Sequence, residues 1–119
     1  MPGIARYGDR VNGFCYYAWR WHHDTYYCGW WIEGQWATII QKSDTTKANG
    51  LGVARLGDEC QHDYNPHAPY PHPDYGLINS CSSTVKVDGK GAARIGDSVS
   101  GGGLFVGTIV TGSGDVRSN

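Results

Sequence analysis

The sequence predicts a mostly β domain of three equivalent hairpins set around a pseudo-threefold axis. Three observations predict it. The first is a phrase that occurs three times, as Ala5-Arg6-Tyr7-Gly8-Asp9, Ala54-Arg55-Leu56-Gly57-Asp58 and Ala93-Arg94-Ile95-Gly96-Asp97. Units that recur in a short chain cannot each bury a core alone and must share one. The second is a fixed frame before the later two copies. Ser43 precedes Asn49-Gly50 and Arg55, and Ser82 precedes Asp88-Gly89 and Arg94, with a Ser-to-Arg distance of twelve residues and a Ser-to-Gly distance of seven in both. The third is where the frame meets the chain ends. Six residues separate Ser113 from Asn119, as six separate Ser43 from Asn49, and Gly3 stands three before Arg6 as Gly52 stands before Arg55. The N- and C-terminal strands are therefore expected to pair and complete the third hairpin. Closing the ring also removes exposed sheet edges.

At 119 residues the chain reads as a single domain, 1–119. Leu, Ile, Val and Phe make up only 21 residues, a fraction that with high net charge would signal disorder, but the net charge is −1. Five Trp and eight Tyr supply the missing apolar area. There is no basic surplus to hold a phosphate backbone, so nucleic acid is not an expected partner. No apolar run approaches the ~18 residues that would span a bilayer. Met1-Pro2-Gly3 leads straight into the repeat, so no signal peptide is expected. The four cysteines leave disulfides, metal ligation and buried thiols all open.

In order, residues 3–9 are half a unit, and 10–36 a long aromatic excursion. Residues 37–58 are a whole unit. Ala37-Thr38-Ile39-Ile40 has strand composition, Thr45 to Ala48 leads to Asn49-Gly50, and that dipeptide is the strongest short-range sign of a type I′ hairpin turn. Residues 59–76 are a second excursion, rich in His and Pro. Residues 77–97 repeat the unit, with Thr84-Val85-Lys86-Val87 alternating as a half-buried strand should. Residues 98–107 are a short glycine-rich excursion, and Thr108 to Ser113 restarts the unit. The variable loops 10–36, 59–76 and 98–107 thus leave one end of a constant scaffold, while the turns and both termini lie at the other. Function usually sits on such loops.

The first excursion has a mirror of its own. Cys15-Tyr16-Tyr17 reflects Tyr26-Tyr27-Cys28 around a centre holding Trp19, Trp21, His22 and His23. This predicts an aromatic β-ribbon in which Cys15 faces Cys28, near enough for a disulfide. Its tryptophans serve burial, a binding surface or a membrane interface.

The Ala-Arg-x-Gly-Asp units, the run Ser83 to Arg94 (Ser-Thr-Val-Lys-Val-Asp-Gly-Lys-Gly-Ala-Ala-Arg) and the overall length resemble the PAAR-repeat proteins. The resemblance covers the chain apart from the first excursion. It implies a small cone of β-hairpins capping the blunt tip of a trimeric β-helical spike, as a monomer on a trimer, in a type VI secretion system or a contractile phage tail. It further implies a non-enzymatic tip that meets the target cell envelope transiently, located at a virion tail tip or made in the bacterial cytoplasm and then injected. Family members hold a metal near the apex, commonly zinc, with iron as the alternative. His62, His67 and His72 recur every five residues in a proline-rich stretch, and their pattern matches the family's ligand loop. Proline restricts the loop, and imidazole is the commonest metal ligand near neutral pH. A closed zinc site takes four ligands. Gly101 stands where the family often has Cys, so the fourth ligand is assigned to Cys15, with Cys28 and Cys60 as competitors and Cys81 set inside the scaffold. Two other readings compete: a small zinc hydrolase with Asp63 or Asp74 as base, and an adaptor tip that recruits effector cargo without covalent fusion. A secreted aromatic-rich binding module with two disulfides is a further reading.

Overall fold

The computed structural model describes residues 1–18, 30–62, 75–101 and 105–119, with side chains at 1–13, 36–61, 76–100 and 106–119. Among these residues the only regular elements are strands. Six long strands form a closed antiparallel barrel in the order β1 (Arg10–Ala18), β10 (Phe105–Ile109), β9 (Ser98–Gly101), β6 (Tyr75–Ile78), β5 (Glu59–His62) and β2 (Trp30–Ile39), which pairs back to β1. Below the barrel lie two short hairpins, β3 (Lys47–Ala48) with β4 (Leu51–Gly52), and β7 (Lys86–Val87) with β8 (Lys90–Gly91).

The expected turns are present. Asn49 and Gly50 have φ of 54° and 79°, and Asp88 and Gly89 have 54° and 77°, the paired positive φ values that a type I′ turn requires. The third hairpin is built from the two ends of the chain, as expected. Gly3 pairs with Arg117, the Ile4 amide donates to the Val116 carbonyl at 2.9 Å, and the Ser118 amide donates to the Pro2 carbonyl at 3.1 Å.

The three units meet in a ring of backbone hydrogen bonds around the axis. Ala5 donates to Ala93, Ala93 to Ala54 and Ala54 back to Ala5, all at 2.9–3.0 Å. All three alanines are fully buried. Any larger side chain would hold the strands apart, so this ring is the physical reason for the Ala of the repeated phrase.

The barrel interior rises from this ring in threefold-equivalent layers. Ile39, Ile78 and Ile109 form the first and Val11, Cys60 and Val99 the second, all at most 1 % exposed. Ala37, Gly76 and Gly107 form the third and are also buried. Side-chain volume thus shrinks with height, and the walls close in. Gly13 shows how far: a Cβ there would collide with the carbonyl oxygen of Val106 and the Cα of Gly107. A separate cluster of Ile4, Ala48, Val53, Val87 and Ala92 fills the base.

Three expectations need correction. The stretches 10–36, 59–76 and 98–107 are not loops at their roots: each opens and closes with barrel strands. Their inward positions are held by glycine and alanine as much as by large apolar residues, so the alternation that marks a strand is muted. Within the first excursion the ribbon exists but its register differs. Cys15 lies opposite Glu33 on β2 and Phe105 on β10, five positions from Cys28. Register here is set by the barrel below, which pairs Val11 with Ala37 and Ile109, and not by the local mirror. Cys28 itself lies outside the described residues. The strand expected over Thr84 to Val87 is also shorter than read, because Ser82 caps the segment. Its Oγ accepts the amides of Thr84 and Val85 at 3.2 and 3.0 Å and holds them in a turn.

Candidate functional site

The Arg and Asp of each repeated phrase form a closed clamp. The Asp amide donates to the Arg carbonyl at 3.0 Å across a turn whose third residue is the glycine, with φ of 86°, 87° and 97° at Gly8, Gly57 and Gly96. That is a type II turn, in which the third position needs positive φ and therefore glycine. The carboxylate then accepts from the Arg amide and from Nε and Nη2 of the guanidinium, at 2.7–3.1 Å in all three copies. Asp9, Asp58 and Asp97 are 6, 1 and 4 % exposed, so each buried carboxylate is held bidentately by a half-buried guanidinium. Thr111 and Ser80 donate further bonds to Asp9 and Asp97 at 2.9 and 3.0 Å. The same two hydroxyls, with the Gln41 carboxamide oxygen, accept the amide of the residue after each Asp: Arg10, Ser98 and Glu59. The buried carboxylates and the amides beside them are thus satisfied, as burial demands. Reading the sequence by repeats singled out the phrase but not the Arg–Asp clamp inside it, and it missed Gln41, Ser80 and Thr111. The signal was there, since each stands two residues before the framing serine.

At the base the three hairpins interlock. Arg6 Nη1 donates to Asn49 Oδ1 at 3.1 Å, and Arg55 Nη1 donates to Asp88 Oδ2 at 2.9 Å. Neighbouring hairpins then bond to each other's turn residue. Thr45 Oγ1 donates to Asp88 at 3.0 Å, and Asn49 Nδ2 donates to Asp115 at 3.1 Å. Hydrogen bonds from Ser43 and Thr45, together with Arg55, hold the Asp88 carboxyl below its usual range.

Toward the apex the threefold layers reach Gly13, His62 and Gly101, each four residues past a repeat Asp. His62 is the last residue of β5, opposite Ala37 on β2. Its two equivalents have no side chain. Cys15 lies on β1, opposite a position on β2 four residues from Ala37. The backbone therefore carries both residues toward the narrow end, from different strands flanking β2. His67 and His72, the other expected ligands, lie outside the described residues, as do Asp63, Asp74, Trp19, Trp21, His22 and His23. Cys60 is settled as a buried thiol: it is fully enclosed, and burial, with the charge of Asp58 second, pushes its pKa up to about 12. Cys81 packs its sulfur against Gly91 inside the scaffold, as expected. Among the described residues no group of three or more His, Cys, Asp or Glu comes together as a metal site.

The described residues thus build a closed β cone with a threefold base and a tapering interior. The comparison with known families gives that architecture its name. The PAAR motif matches residues 34–107, well over half of the chain, and the chain belongs to this family of spike-tip proteins of contractile injection systems. No curated protein matches the chain as a relative.

Proposed function

We propose that this protein is the metal-stabilised sharp tip that caps the trimeric central spike of a phage tail or type VI secretion system and helps pierce the target envelope. The observation that carries the reading is the combination of a threefold-closed base with an interior that narrows to the layer of Gly13, His62 and Gly101. A base with that symmetry suits one chain seated on the blunt end of a β-helical trimer. A layer with one imidazole-bearing position and two glycines suits an ion held near the axis.

The donor chemistry fits zinc. His62, His67 and His72 supply three nitrogens and Cys15 a thiolate, a closed set of the structural kind, with iron as the alternative metal. Bound metal would tie the second excursion to β1. Structural zinc contributes an apparent ~10–16 kcal/mol, comparable to or above the ~5–15 kcal/mol net stability of a typical domain. Rigidity at the point is the benefit for a part driven through an envelope. The family is structural, and the proposed site has no open position for a substrate.

Metal analysis of the purified chain should find one equivalent of zinc. His67→Ala should lose it and melt at lower temperature, and Cys15→Ser should weaken it where Cys60→Ser does not. Folded protein without metal, or unchanged melting of His67→Ala, would sink the metal assignment and leave the family membership intact.

A further inference from the structure

Each base hairpin carries an exposed cation at the same place. Lys47, Lys86 and Arg117 each stand four residues after a framing serine, and all three are exposed. Their cross-strand partners are Gly52, Gly91 and Gly3. Those glycines in turn accept the amides of Tyr7, Leu56 and Ile95 at 2.8–2.9 Å, which fixes the three cations at one height on the axis.

The register gives these positions a second property. Bonds between Thr46 and Val53, and on both sides of the Gly3–Arg117 pair, make each of them a non-hydrogen-bonded pair. The amide and carbonyl of the cationic residue then point away from its own hairpin, along the outer edge. Among the described residues none of these three amides or carbonyls has a partner. Nor does Lys47 or Lys86 make an ion pair there, in contrast to Lys42, which holds Asp44 at 3.0 Å. Arg117 reaches only the backbone carbonyls of Met1 and Gly114, at 3.5 and 3.4 Å. Among the described residues the carboxylates of the same hairpins are engaged elsewhere, Asp44 by Lys42, Asp88 by Arg55 and Asp115 by Asn49, so none is seen to neutralise these three cations.

We infer that Lys47, Lys86 and Arg117 form a threefold docking ring whose occupant is a symmetric trimer presenting one carboxylate per protomer at its blunt end. The inference rests on the spike-tip reading and names the chemistry of that contact. Each protomer would place an acidic side chain against one cation and use the open amide and carbonyl beside it to continue the sheet. Charge complementarity of this kind raises the association rate and fixes the rotational setting. The competing role for a lysine on a short edge strand is to block edge-to-edge aggregation. The two roles differ in sign dependence, since a glutamate guards an edge as well as a lysine does.

The test measures binding of the full chain to the purified trimeric β-helical spike end of a PAAR-bearing injection system, at low and high salt. The wild-type chain should bind one per trimer, more weakly as salt rises. The K47Q/K86Q/R117Q variant should bind about tenfold more weakly, and K47E/K86E/R117E by a factor of about a hundred or more. K86E alone, should the triple variants fold poorly, carries a third of the ring and should still lose binding measurably. Glu variants that melt and bind like wild type would overturn the docking ring while leaving the spike-tip reading standing. Failure of the wild-type chain to bind would fall on that reading itself.

Discussion

The lower and upper halves of this molecule obey different rules. Around and below the alanine ring, equivalent hydrogen bonds in the three units agree closely: the framing-serine amides of Ser43, Ser82 and Ser113 all donate at 2.8 Å. Above it, β1 and β2 run nine and ten residues, β5 and β6 four each, and β9 and β10 four and five. Symmetry is kept where three strands must share one axis and dropped where each pair only has to add to a wall. A barrel closes at its base whatever the height of its individual staves.

The largest expected effect tests whether the lower half is truly threefold. Replacing Asp9, Asp58 or Asp97 with Ala leaves a half-buried guanidinium without its carboxylate and should cost about 3 kcal/mol each, the low end for a buried pair. Chemical denaturation of the three variants should give nearly equal losses. A loss confined to one clamp would break the equivalence of the units.

A middle-sized effect probes the taper. Gly13→Ala pushes a methyl into the backbone of Val106 and should cost about 1–3 kcal/mol by overpacking. Thermal melting of this variant at wild-type stability would mean that the upper wall is wider than described.

The smallest effect concerns the turn residues. Asn49→Asp sets two carboxylates together, since Asn49 Nδ2 donates to Asp115. It should cost about 0.5–1.5 kcal/mol, recovered by adding Asp115→Thr, which copies the Thr45–Asp88 contact of the neighbouring hairpin. Asp88 has a lowered pKa in the folded state, so its contribution is present above the unfolded carboxylate value near 4 and fades as pH falls through the folded one. Asp88→Asn should therefore flatten the acid limb of the stability profile.

Most of the lower half was legible in the sequence. The phrase, its frame and its phase at the chain ends gave the hairpins, both I′ turns and the pairing of the termini, because those features repeat and repetition cancels noise. The reason for each residue was less visible. Ala5, Ala54 and Ala93 read as small apolar residues until three of them met on one axis. The upper half was harder. Gly13, Gly76 and Gly107 look like loop glycines in sequence and are wall positions in space. The mirror around Trp19 to Asp24 pointed to a real ribbon with the wrong register, because long-range pairing with Ile109 and His62 overrides local resemblance. For the metal site, sequence spacing and family likeness remain the main support, joined by the position of His62 between two glycines.

The hydrogen bond from Ile4 to Val116 also governs how the chain must fold. Its two partners stand near opposite ends of the sequence, so the last closure spans almost the whole chain. Folding of this kind is slow, because loop-closure entropy is spent before the contact is gained. During synthesis, residues 3–6 wait with an open edge until 113–118 have emerged from the ribosome. A nascent or truncated chain would then carry two of three units and two bare strand edges. The seam therefore couples synthesis through residue 118 to burial of a strand edge that is otherwise open.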